Sequence, residues 1–240
     1  PELPVWEVIT ESSNLGTARI AKMIGPEKQR EYLSSLGFSK PTTIEMIEAN
    51  GGKPLLPKRW NELETMTISY GHGLSATPLH LATGYATLAN GGRLVNPTLL
   101  QEVKPVLGPR VISKEVAENS LAMLRGVVTG GTASLADVDG YFVGGKTGTA
   151  DKPSSQGGYD KEKNITNFAS IFPINEPKYV LVVTLDEAQD TSGPEPKRTA
   201  GWTAVPVSAE IIARVAPLLG LRPKFDNHST IGITLSNWQE

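Results

Sequence analysis

The 240 residues are 39% hydrophobic and 20% charged, a balance that suits a soluble, core-forming chain of one large domain or two small ones. Twenty-three basic against 25 acidic residues leave a net charge of -2, which argues against broad electrostatic binding to nucleic acid or an anionic membrane. With no cysteine, a disulfide framework, a thiol nucleophile and a Cys-ligated metal are excluded, and the redox compartment stays open. The longest apolar run, Tyr179 to Leu185, falls far short of the roughly 18 residues a membrane span requires. The opening Pro1-Glu2-Leu3 has neither an initiator methionine nor a basic-then-apolar leader. The chain is therefore expected to be a piece of a longer protein, with any signal or anchor upstream.

Val5 to Met23 predicts helical segments broken near Glu11-Ser12-Ser13-Asn14, where small polar residues favour a turn and a cap. Pro26 opens a second helix that ends at Gly37. Residues 39–65, rich in Pro, Gly and Asn, predict a long connection. Thr77-Pro78 starts a strong helix with Leu79, Leu81, Ala82, Tyr85, Ala86 and Leu88 at helical spacing, stopped by Gly91-Gly92. Ser113 caps another, with Val116, Leu121, Leu124 and Val127 among its apolar residues.

The period then changes. Tyr141-Phe142-Val143, Asn167 to Pro173 and Tyr179 to Leu185 are short β-rich runs that predict strands of one sheet. Lys152 to Lys163 predicts a polar, Gly-rich hairpin loop. Val205 to Leu219 closes the domain as a helix, and residues 224–240 predict an edge strand or a polar tail. Helices, then strands, then a final helix imply an antiparallel sheet with helices packed on it, since parallel crossovers need a helix between each pair of strands.

Gly140 to Thr147 satisfies the phosphate-loop pattern G-x-x-x-x-G-K-[ST]. That motif needs a strand before the first glycine and a helix at the Lys-Thr. Here the strand signal lies inside the pattern, and the following Gly148 to Gly158 is too rich in Gly and Pro for a helix. A nucleotide site is rejected. Lys146-Thr147-Gly148-Thr149 fits better at the end of an edge strand. A lysine, two hydroxyls and a bare backbone suit a peptide carboxylate, with an added substrate strand along Gly148 and a backbone N–H for an oxyanion. Regular alternation puts Lys146 and Gly148 on one side, Thr147 and Thr149 on the other. Ser12-Ser13-Asn14 offers a hydroxyl and an amide two residues apart, able to relay a proton and hold a substrate amide, or else to cap a helix. His72 and His80 lack metal-chelate spacing, and His228 lies in the tail, so no metal site is supported.

In this order, these residues resemble the penicillin-binding protein family, specifically the monofunctional class B transpeptidases. The family signature runs Ser-x-x-Lys, Ser-x-Asn, Lys-[Thr/Ser]-Gly. Ser12-Ser13-Asn14 matches the second motif and Lys146-Thr147-Gly148 the third. Tyr70-Gly71-His72-Gly73-Leu74 and Thr129-Gly130-Gly131-Thr132-Ala133 resemble its Gly-rich turn and the stretch before the third-motif strand. The resemblance runs from about residue 3 to about residue 220. It departs at one point, because no serine here has a lysine three positions on.

The resemblance implies an α+β fold of the penicillin-binding and serine β-lactamase type, an antiparallel sheet flanked by helices plus a mainly helical subdomain. Residues 1–223 would form the C-terminal part of the transpeptidase domain. It implies acyl transfer on D-alanyl-D-alanine stem peptides of peptidoglycan, by a serine outside this chain and without a cofactor. Ser12 would pass a proton to the leaving amine, oriented by Lys146. Asn14 would hold the substrate amide, and Thr147 and Thr149 the terminal carboxylate, with Gly148 beside the substrate and His72 either facing it as a binding residue or standing as a loop histidine without a role. β-Lactams, cell-wall synthesis or division proteins, and the periplasmic face of a bacterial inner membrane are the implied ligands, partners and location; nucleic acid is not. A serine β-lactamase or D,D-carboxypeptidase would share the motifs, and a β-lactam-sensing or partner-binding module would explain the absent nucleophile.

Overall fold

The computed structural model describes residues 2–101, 106, 108–155 and 157–225. Seven helices are present among them: α1 (Val5–Thr10), α2 (Asn14–Ile24), α3 (Pro26–Ser35), α4 (Glu62–Ser69), α5 (Pro78–Ala89), α6 (Lys114–Gly130) and α7 (Ala204–Leu218). Side-chain caps explain most of their starts. The hydroxyls of Ser13, Thr77 and Ser113 accept the first-turn N–H groups of Gly16, His80 and Val116. Asn61 and Glu64 form a reciprocal capping box at α4. Residues 39–65 are therefore not wholly connection. They hold a short 3-10 helix at Ile47–Gly51 and the first turn of α4, whose box was present in the sequence as Asn61-x-x-Glu64.

Three strands, β1 (Gly144–Pro153), β2 (Tyr159–Phe172) and β3 (Tyr179–Asp186), form an antiparallel sheet in the order β1-β2-β3. Phe168 and Val183 face one side, where α7 packs Val205, Ile212 and Ala216 against them. Ile171 faces the other side, against Tyr85 and Leu88 of α5 and Leu121 and Leu124 of α6. The sheet is thus the middle layer between α7 and the α5–α6 pair. Full burial of a side chain such as Phe168 or Ile171 contributes about 1.5–3 kcal/mol.

Two expectations change here. Tyr141-Phe142-Val143 is not a strand: Phe142 has φ +44, and its carbonyl accepts from Ile174 N–H while that of Val143 accepts from Arg125. Tyr141 and Val143 are buried in the cluster on the α7 side, and Phe142 packs against the one beneath α5 and α6. The apolar run is an anchor shared by two cores, which a period-two pattern imitates. The expected loop at 152–163 is mostly the outer half of a hairpin, since β1 runs to Pro153 and β2 starts at Tyr159. Residues 226–240, which include His228 and most of the expected tail or edge strand, lie outside the described residues.

Candidate active site

The turn between α1 and α2 divides its two serines by task. Ser13 is the helix cap, its Oγ 3.2 Å from Gly16 N. Ser12 precedes it with φ +57, a left-handed backbone uncommon for a residue with a Cβ. The turn is held from α1 by Ser13 N–H on Val8 O and Ser12 N–H on Ile9 O. Gly16 allows the close approach, because a Cβ there would lie 2.7 Å from Val8 Cγ2. The Ser12 hydroxyl is thereby free of the helix and accepts a hydrogen bond from Lys146 Nζ at 2.8 Å, across 134 positions of sequence. Asn14, the first residue of α2, stands exposed beside it.

Lys146 is the third residue of β1, opposite Ala169 of β2. Burial draws its ammonium down from 10.5 to about 8, because the charged form is poorly hydrated there. Its Nζ also lies 3.4 Å from the Thr147 hydroxyl and the Thr147 carbonyl. The Thr147 hydroxyl is 2.8 Å from that of Thr132, just past the end of α6. The Thr149 hydroxyl accepts the N–H of Ala200 at 3.0 Å, which leaves its own proton to donate. Gly148 lies opposite Asn167, whose amide fills the space a Cβ would need, 2.7 Å from Oδ1. Among the described residues no strand pairs with the outer edge of β1, so its N–H and C=O groups can take an added strand.

Lys22 of α2 and Glu62 of α4 form an ion pair at 2.8 Å, joining the end of one helix to the start of the other. The two helices therefore pack antiparallel, which brings the turn after α4 back toward the start of α2. That turn carries His72, whose ring stands edge-on to Tyr70 at 5.5 Å and to Tyr159 at 5.6 Å. Tyr159 belongs to the hairpin arm. A register shift between Asp151 and Lys152 bends the arm, and Lys152 clamps it to Asp186 and, at 2.7 Å, to Glu187. At about 3.3 Å per residue the edge of β1 runs roughly 20 Å from Lys146 to Lys152. The His72–Tyr159 contact bridges the arm to the helices beyond it.

Ser12, Lys146 and Thr147 are thus joined by hydrogen bonds; Asn14, Gly148 and Thr149 are their chain neighbours; His72 stands at the rim. Thr132, Asn167 and Tyr159 join the site without having been singled out as site residues. A signal existed for Thr132, in the Gly-Gly-Thr-Ala stretch, but its contact with Thr147 depends on two separate elements meeting. Trp202 is 44% exposed, with the Lys197 ammonium 3.2 Å from its ring centre. No cluster of three or more His, Asp or Glu side chains arranged for a metal occurs among the described residues. No helix among them is long and apolar enough to cross a membrane.

A family model described as the penicillin binding protein transpeptidase domain matches residues 2–212. The chain is 34% identical over 234 residues to the probable peptidoglycan D,D-transpeptidase FtsI of Caulobacter vibrioides, an alignment covering 92% of this chain and 39% of that protein. It is 31% identical over 224 residues to the peptidoglycan D,D-transpeptidase FtsI of Escherichia coli, covering 92% of this chain and 37% of that one. The apo TP domain of Burkholderia pseudomallei penicillin-binding protein 3 superposes with a TM-score of 0.83 at 34% identity, over 93% of this chain and 67% of that domain. The aztreonam complex of Mycobacterium tuberculosis penicillin-binding protein 3 gives 0.77 at 27% identity, over 92% and 52%. The chain spans about two fifths of the length of these curated relatives.

Proposed function

The chain belongs to the class B penicillin-binding protein transpeptidase family, and on that premise we propose that it carries the substrate-side half of a serine D,D-transpeptidase site. The observation that supports this most directly is the 2.8 Å hydrogen bond from Lys146 to Ser12. The second and third family motifs supply its two ends, although one lies on a helical turn and the other on a sheet edge.

In this reading the nucleophile is a serine, paired with a lysine three positions on, from a part of the protein outside these 240 residues. It attacks the penultimate carbonyl of a D-alanyl-D-alanine stem peptide. The C–N bond breaks, the terminal D-alanine leaves as an amine, and an acyl-serine ester forms. The amine of a neighbouring stem peptide then attacks the ester, forming the cross-link and returning the serine. Splitting one amide exchange into two steps is what a covalent nucleophile provides. Ser12 hands a proton to the departing amine. Lys146, donating to Ser12 Oγ, holds that hydroxyl in line and favours release of its proton. Asn14 holds the substrate amide. The peptide adds as a strand to the outer edge of β1, where Gly148 keeps the approach open, and its carboxylate meets the hydroxyls of Thr147 and Thr149. The backbone N–H of Thr149 is an oxyanion donor, and His72 borders the far end of the cleft.

β-Lactams acylate the same serine as mimics of the D-alanyl-D-alanine end. The whole protein works on peptidoglycan at the periplasmic face of the inner membrane, in company with cell-wall synthesis or division proteins. The test compares this 240-residue chain with the full-length protein after treatment with a fluorescent penicillin, reading the covalent adduct by mass spectrometry. An adduct on the full-length form only, at a serine outside residues 1–240, is the expected result. A folded full-length protein that takes no adduct would overturn the reading.

A further inference from the structure

Resting on that reading, we propose that Thr132 is a positioning residue: it fixes the direction of the Thr147 hydroxyl, and so decides how well the site holds a substrate carboxylate. The capacity of each group to donate or accept decides this. A hydroxyl carries one proton and two lone pairs, and an ionised carboxylate can only accept. To bind a carboxylate, Thr147 must donate its single proton to it. Its oxygen is then free to accept, and two donors stand beside it, the Thr132 hydroxyl at 2.8 Å and the Lys146 ammonium at 3.4 Å. Either threonine can be the donor while the cleft is empty. Arrival of an acceptor-only ligand leaves one arrangement, in which Thr132 donates to Thr147 and Thr147 to the ligand. Hydrogen bonds polarised in series in this way strengthen one another.

The backbone holds Thr132 for this task. Gly131 lies so close to Thr10 O and Val127 that a Cβ would come within 3.0 Å of the Val127 Cα and nearer still to the Thr10 carbonyl. Thr10 lies two residues before Ser12, so the same packing that seats Thr132 against β1 seats the turn bearing Ser12. On its other side Gly201 approaches the Thr132 carbonyl, where a Cβ would lie 2.9 Å away. The next residue back, Ala200, gives its N–H to Thr149. With a carboxylate bound, both threonines of β1 that face it receive a hydrogen bond from outside the sheet, Thr147 from Thr132 and Thr149 from Ala200. Each keeps its own proton for the cleft.

The test uses the full-length protein and measures acylation by benzylpenicillin and by its uncharged methyl ester. Thr132→Val is expected to raise the half-saturating concentration of the acid about tenfold and to leave the limiting acylation rate within about threefold, the size expected for one hydrogen bond to a charged group. The methyl ester should show no such loss, and Thr132→Ser should stay within about twofold of the wild type for the acid. Thr132→Val added to Thr147→Val should cost nothing further, because the first acts through the second. Equal losses for acid and ester, or losses that multiply in the double variant, would overturn the assignment to positioning. If the wild type takes an adduct and Thr132→Val behaves identically, this inference alone falls. If the wild type takes no adduct, the transpeptidase reading falls and this one with it.

Discussion

On the strand side of the site, Lys146 to Thr149 take their positions from a ladder in which every residue is paired across to β2, from Ala169 back to Thr166. On the helix side, Ser12 takes its position from a single residue in left-handed backbone, with a cap behind it and two backbone hydrogen bonds to α1. The ladder spreads its constraint over many bonds, so changes to its side chains alter chemistry more than backbone. The turn concentrates its constraint at one residue, where conformational strain of order 1–3 kcal/mol is stored. One half of the site is rigid through regularity and the other through local strain. Substitutions at the two should therefore separate activity from stability in different ways.

The largest effect is expected from Lys146→Met. Losing the donor to Ser12 should lower acylation in the full-length protein by about 10²–10⁴-fold. The melting temperature should nevertheless rise, because the fold disfavours this ammonium and the substitution removes a half-buried charge; about 1 kcal/mol corresponds to roughly 2–4 °C at this size. Calorimetry alongside adduct kinetics checks both parts, and a lower melting point would count against the ladder being indifferent to its side chains. A pH scan sharpens it. Folding lowers the pKa of this amine from 10.5 to about 8, so between those values the unfolded chain binds the proton more readily. The contribution of Lys146 to stability should therefore rise with pH across that window and be absent from the variant. Acylation should decline on the alkaline side with an apparent pKa near 8, as the ammonium loses its charge.

Next come two substitutions at Ser12. Ser12→Ala and Ser12→Gly should each lower acylation about 100-fold, but only the glycine accommodates φ +57 without strain. Ser12→Gly should therefore be more stable than Ser12→Ala by about 1 kcal/mol in denaturant titrations. Equal stabilities would mean that the turn stores no strain. Gly148→Ala tests the strand side again: its Cβ would crowd the Asn167 amide, and about tenfold slower acylation is expected. Adding Asn167→Gly should recover most of that loss; a double variant as slow as the single would place the obstruction at the substrate instead. The smallest effect belongs to Ser13→Ala. Removing the cap should cost about 1 kcal/mol of stability, while acylation stays within about threefold.

Much of this was legible from local chemistry. Thr77-Pro78, Ser113 and the small polar residues before Leu15 announce helix starts through hydrogen bonds made within one turn, which need no partner far away. The same rule was available in Asn61-x-x-Glu64, hidden by the Gly and Pro around it. Tyr141-Phe142-Val143 shows where local pattern misleads. Alternate residues enter two different cores, and only the presence of α5, α6 and α7 around the segment makes that an anchor rather than a strand. The hairpin arm was hidden for the opposite reason: its residues are polar and solvated, so no apolar alternation marked it.

The sequence by itself determined most of the helices, the antiparallel character of the sheet and the ordered pair of motifs, because each depends on contacts a few residues long or on the order of segments. Which of two adjacent serines caps the helix and which faces the lysine was decided by tertiary structure, through the left-handed turn that α1 imposes on Ser12. So was the meeting of the Thr147 and Thr132 hydroxyls, 2.8 Å apart, which rests on α6 ending beside β1. The burial that lowers the Lys146 pKa likewise exists only once the helices have packed against the sheet edge. Hydrogen-bond polarity and dielectric environment belong to groups brought together from distant parts of the chain. No local pattern encodes them.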